Sequence, residues 1–181
     1  AAQGKLNTAY EAAGYSAQTA ATAYREFYKI LGDTDTATEA SQLLAKLTRS
    51  EQDVTRWTRI AAGVSGTFGD SLPIEGLIEA TNETAKTAKV TGVLADALNW
   101  VGISEDDFNK RLERCSGEAE RNKLLMDTLT TAYEGAADAF YRNNEELVRA
   151  RANQAAVSAV TAKLGSAAQT AKGWIWQLLG A

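Results

Sequence analysis

Histidine is absent from these 181 residues, and cysteine, methionine and proline occur once each. Without histidine the chain builds neither a Ser-His-Asp triad nor a mixed Cys/His zinc site, and one thiol closes no disulfide within it. Strand-length alternation of apolar and polar residues is missing too, which removes the signal for a sheet. No apolar run is long enough to span a bilayer, and no basic segment followed by an apolar core opens the chain as in a signal peptide. A net charge of −4 lacks the basic footprint of a duplex-binding domain, so nucleic acid is not an expected partner.

What is present is alanine, which favours helix and buries little area per residue, together with glycines placed mostly where one periodic run stops and another starts. Both features predict an all-α fold of closely packed helices. Leu6, Ala9, Tyr10 and Ala13 share a face that ends at Gly14. Ser16 caps a second run bearing Ala20, Tyr24, Phe27 and Leu31, closed by Gly32. Capping-box spacing recurs at Thr36 with Glu39 and at Thr48 with Glu51, opening runs through Leu43, Leu44 and Leu47 and through Val54, Trp57, Ala61 and Val64.

Gly63, Gly66 and Gly69 predict a loop over Gly63 to Asp70, after which Ser71 and Pro73 start a helix burying Ile74, Leu77, Ile78 and Ala85. Gly92 and Gly102 bracket a short apolar helix. Ser104 caps the next one, with Phe108, Leu112 and Cys115 on its apolar stripe, and Ser116 caps a long helix. From about Glu118, the stripe Leu125, Leu129, Ala132, Tyr133, Ala136 and Phe140 runs to the pair Asn143 and Asn144.

The most regular pattern comes last. Ala150, Asn153, Val157, Val160, Leu164, Ala167, Ala171, Trp174 and Leu178 recur at alternating steps of three and four, the seam of a coiled coil. Gly165 followed by Ser166 fits equally a turn between two helices, so a continuous arm and a helical hairpin both remain open. The expected organisation is a multi-helix bundle of short capped helices over 1–141 and a long helical arm with heptad character over 142–181.

Candidate chemistry is sparse. Glu105, Asp106 and Asp107 stand in a first helical turn, where carboxylates complement the helix dipole without any further role. The glycines at 63, 66 and 69 have no preceding strand and no following P-loop lysine, so they predict a flexible connection and not a phosphate cradle. Cys115 is expected as a buried packing thiol. Arg56, Arg59, Arg142, Arg149 and Arg151 are interspersed with Glu51, Asp53, Glu145 and Glu146, the pattern of solvated faces with local ion pairs. The chain is therefore expected to be non-enzymatic, with no catalytic, cofactor-binding or metal-binding residue and no small-molecule substrate.

The expected interface is the seam and the apolar end: Val157, Val160, Leu164, Ala167, Ala171, Trp174, Ile175, Trp176, Leu178 and Leu179. Its readings are contact with a partner helix, packing on this same domain, and, more remotely, contact with a membrane interface. The chain starts without Met and ends at Ala181 inside a helical pattern, which predicts a piece of a longer protein.

The segments LGDTDTATEASQLLAKL (31–47), GTFGDSLPIEGLIEATNETAKTAKVTGVLADALNWVGISEDDFNKRL (66–112), ERNKLLMDTL (120–129) and YRNNEELVRARANQ (141–154) resemble the tail tape measure proteins of long-tailed bacteriophages and prophages. The likeness extends over about two thirds of the chain, from Leu31 to about Arg151, and rests on length and order, not on a catalytic signature. It implies a non-enzymatic structural and assembly module. Such proteins are long, helical and alanine-rich, lie in several copies in the tail tube and set its length. The implied partners are further copies of the chain and phage tail proteins; the implied location is the virion tail, assembled in the bacterial host cytoplasm. The Trp-rich end after Gly173 is no feature of that family and points to an alternative, a helical interaction module presenting an apolar surface to a partner.

Overall fold

The structure, a computed structural model, describes residues 2–48 and 50–158. Among them every regular element is helical: α1 (Ala2–Ala12), α2 (Ala17–Leu31), α3 (Thr34–Leu47), α4 (Glu51–Phe68), a single 3-10 turn (Gly69–Ser71), α5 (Ile74–Thr87), α6 (Val93–Trp100), α7 (Glu105–Glu113), α8 (Glu118–Asn143) and α9 over 145–158. The all-α class and the bundle are as the sequence predicts. The heptad positions Val160, Leu164, Ala167, Ala171, Trp174 and Leu178, with Ile175, Trp176 and Leu179, lie outside the described residues.

The starts and stops follow local chemistry. Ser16 caps α2 by accepting from the Thr19 N–H, and Ser104 caps α7 by accepting from the Asp107 N–H, both as spacing predicts. Two other caps differ. Asp33, not Thr36, caps α3 by accepting from the Thr36 N–H at 2.8 Å, and Ser50, not Thr48, caps α4 by accepting from the Asp53 N–H at 3.2 Å. In each case the cap is itself the last extended residue before the helix, whereas Thr36 already lies in the first turn of α3 and Thr48 closes α3. Thr48 is instead buried, donating its hydroxyl back to the Leu44 carbonyl. Ser116 also falls short of a cap: Gly117 precedes α8, and Ser116 donates from its amide and its hydroxyl to Glu120.

The central correction concerns the glycines. No loop opens at Gly63, because α4 continues as a helix through Gly63 and Gly66 to Phe68 and turns only at Gly69. The two glycines serve packing. A Cβ built at Gly63 would stand 2.5 Å from the Tyr133 carbonyl oxygen and 2.9 Å from Tyr133 Cβ, and one at Gly66 would stand 3.2 Å from Phe140 Cβ. Their missing side chains let α4 and α8 approach backbone to side chain, and this pair forms the most extensive interface in the bundle.

Around the α4–α8 pair the other helices close the core. α1, α2 and α3 pack on one another, α2 lies on α4, and α5 joins α3 to α8. α6 and α7 follow from α5. Phe27, Leu44, Trp57, Ile60, Leu77, Ile78, Leu98, Phe108, Leu125, Leu129 and Tyr133 are almost wholly buried in one continuous cluster. Each such large side chain contributes about 1.5–3 kcal/mol of burial free energy. Arg56 and Arg59 of α4 reach across to Asp127 and Asp138 of α8, both at 2.5 Å, and not to the neighbouring acids that local pairing predicts. Of the late arginines, Arg149 alone pairs locally, with Glu145 one turn before it.

Candidate functional site: the outer face of the last helix

α8 ends at Asn143, and at the break Asn144 donates both its backbone N–H and its side-chain amide back to the Phe140 carbonyl. Beyond that break α9 returns onto the bundle through Arg151 and Ala155. Ala155 is buried, and the Arg151 guanidinium donates to the carbonyls of Lys29 at 3.2 Å and Ile30 at 2.6 Å. Those carbonyls belong to the last turn of α2, which has no intrahelical donor for them and carries the negative end of the helix dipole. The guanidinium also occupies the space beside Gly32 that a Cβ would need; Gly32 itself sits at φ 73° as the left-handed cap of α2.

With Arg151 and Ala155 turned inward, the seam positions Ala150, Asn153 and Val157 stand on the exposed face, Val157 being 65% exposed. Of the expected interface, Val157 is therefore the residue the structure describes. Leu147, on the same helix, is 45% exposed and borders a cavity of about 390 Å³ between the end of α2, the α4–α5 turn and α9. Glu75 lines that cavity, and its Oε2 is shut off from solvent without a hydrogen-bond partner.

Sequence reasoning missed an exposed aromatic. Trp100, at the end of α6, is 67% exposed, with its ring edge-on to Phe68 at 5.3 Å between centroids. Only its place just before Gly102, at the end of an apolar helix, hints at this. The structure also places two other features singled out in the sequence, the acidic turn and Cys115. Asp107 in the α7 acidic turn pairs with Lys110 at 3.3 Å, and among the described residues no group of three or more acidic or cysteine side chains is gathered closely enough to hold a metal ion. Cys115 is half-buried and not enclosed as expected, because α7 has already ended at Glu113 and its thiol lies beside the Arg111 carbonyl at 3.5 Å.

The perturbed titrations follow from structural contacts. Asp127 is held below the usual carboxylate range by hydrogen bonds from Lys123 and then Arg56. Burial pushes the Tyr133 phenol up to about 12, and it raises Tyr10 and Tyr141 as well. Tyr133 spends its proton on the Ala97 carbonyl at 2.6 Å, near the end of α6. Arg121 likewise donates to the Ala85 and Lys86 carbonyls ending α5. Three donors from α8 and α9, Arg121, Tyr133 and Arg151, thus occupy the orphan carbonyls of three earlier helices. Comparisons with protein-family models, with curated proteins and with solved structures give no match to this chain.

Proposed function

We propose that the chain is a non-enzymatic packing module of a phage tail tape measure protein, whose copies associate through the heptad seam of the arm inside the tail tube. In this reading 1–141 forms the bundle and 142–181 the arm, and the partners are further copies of the chain and tail proteins. The observation that carries it is the orientation of α9: Arg151 and Ala155 hold the helix on the bundle, while Ala150, Asn153 and Val157 face outward. The described seam positions Ala150 and Asn153 are turned away from the bundle, and the small residues of the seam permit close helix approach by a neighbouring copy. The sequence likeness over 31–151 supports the same class.

Sedimentation velocity over a concentration series tests it. The full chain is expected to associate, and a chain ending at Gly165 is expected to associate far less. Two monomers would sink the proposal. The second reading, an interaction module presenting Trp174, Trp176 and Leu179 to a different partner, is favoured if the full chain stays monomeric but loses partner binding on removal of residues 166–181.

A further inference from the structure

We propose that the acid-rimmed cavity beside α9, between the end of α2 and the α4–α5 turn, docks the basic arm of a second copy of the chain. The inference rests on the reading that copies associate through that arm. Charge is segregated along the sequence. Between Arg59 and Lys86 the chain carries Asp70, Glu75, Glu79 and Glu83 and no basic residue, whereas after Glu146 it carries Arg149, Arg151, Lys163 and Lys172 and no acidic one. The fold brings part of the acidic set to α9: Asp33, Asp70 and Glu75 line the cavity of about 390 Å³ that Leu147 and Arg151 of α9 border.

Asp33 and Asp70 are exposed and open to a partner, while Glu75 adds its charge from the wall. The basic groups at hand are engaged elsewhere: Arg151 donates to the Lys29 and Ile30 carbonyls, Lys29 pairs with Glu26, and Arg149 pairs with Glu145. Among the described residues no ion pair joins Asp33, Asp70 or Glu75 to a cation, so the cavity keeps a surplus of negative charge. These carboxylates are not gathered closely enough to hold a metal ion; they stand around an apolar wall of Leu31, Leu72, Ile74 and Phe140. That combination suits a lysine, whose four-carbon stem lies on apolar surface while its ammonium stays at the acidic rim. Lys163 and Lys172 are the lysines the arm offers. In the proposed association two copies lie side by side along α9, the helix that borders the cavity, so the acidic rim extends that interface.

Sedimentation equilibrium of the full chain tests it. Association is expected to weaken about three- to tenfold between about 0.05 M and about 0.5 M sodium chloride, as screening removes the attraction between the charges. Asp33→Asn with Asp70→Asn, in which asparagine still caps α3, is expected to weaken association to the same extent at low salt and to flatten the salt dependence. A charge swap gives the sharper readout. Asp70→Lys chains and Lys163→Glu/Lys172→Glu chains are each expected to associate poorly alone and to regain affinity when mixed in equal amounts, with urea midpoints unchanged because Asp70 is exposed. Association that ignores salt and the neutral pair overturns the proposal and leaves the seam reading in place, as does a mixture that binds no more tightly than its parts. A full chain that stays monomeric at every concentration and salt removes both.

Discussion

Gly63 and Gly135 are both helical glycines, yet they have opposite value. Gly63 touches the Tyr133 backbone, whereas a Cβ on Gly135 meets nothing within 4 Å. Gly63→Ala is therefore expected to destabilise the fold by about 1–3 kcal/mol through overpacking, and Gly135→Ala to stabilise it by about 0.5–1 kcal/mol through helix propensity. Urea unfolding of both variants checks the pair, and equal effects would remove the packing role assigned to Gly63. The sequence shows glycine without showing this difference. Three glycines spaced by three residues read as a break because glycine costs helix stability locally, and only the facing helix reveals that two of them remove a clash. Trp100 eluded the pattern for a similar reason, since an aromatic on an apolar helix defaults to the core.

At the scale of the element, Arg151 is the test of how α9 is held. Arg151→Ala removes two charge-assisted hydrogen bonds to the last turn of α2, and a loss of about 1–3 kcal/mol in the docking of α9 follows. Amide hydrogen exchange is expected to speed up over 145–158 and at the end of α2, with α4 and α8 unchanged; uniform exchange across the chain would show that Arg151 supports the whole core instead. Helix existence was legible along the described chain: the apolar faces of α4, α5 and α6 are buried much as periodicity predicts, and Gly32, Gly92 and Gly102 fall at helix boundaries. The cap at Asp33 was misplaced because several short polar residues stand in a row there and only backbone geometry chooses among them. Cross-helix partners were illegible, since Arg56 and Asp127 lie 71 residues apart and local acids seemed sufficient. Of the candidate interface, the outward face of α9 could not be read from its heptad alone, because a heptad says which residues share a face but not which way that face turns.

The whole molecule carries its buried phenols as a collective sensitivity to alkali. Tyr133 keeps its proton in the folded state up to about 12, whereas an unfolded tyrosine ionises near 10. Its contribution is complete below pH 10 and is lost as pH rises towards 12, by an amount on the order of 2 kcal/mol, and the raised Tyr10 and Tyr141 add in the same direction. Urea midpoints are expected to hold up to about pH 9 and to fall steeply above 10, with a shallower fall in Tyr133→Phe. A fall that is just as steep in that variant would assign the sensitivity to other groups. Among the described residues, Arg121, Tyr133 and Arg151 tie α8 and α9 to the earlier helices and leave the outer side of α9 facing outward. In the proposed association the copies lie parallel along that side, and the most direct test is a spin-label distance between copies, with the label at Asn153→Cys in a Cys115→Ser chain. Parallel association predicts a short distance between identical positions that disappears on dilution with unlabelled protein, whereas no measurable interaction between labels at concentrations where the chain associates would contradict it.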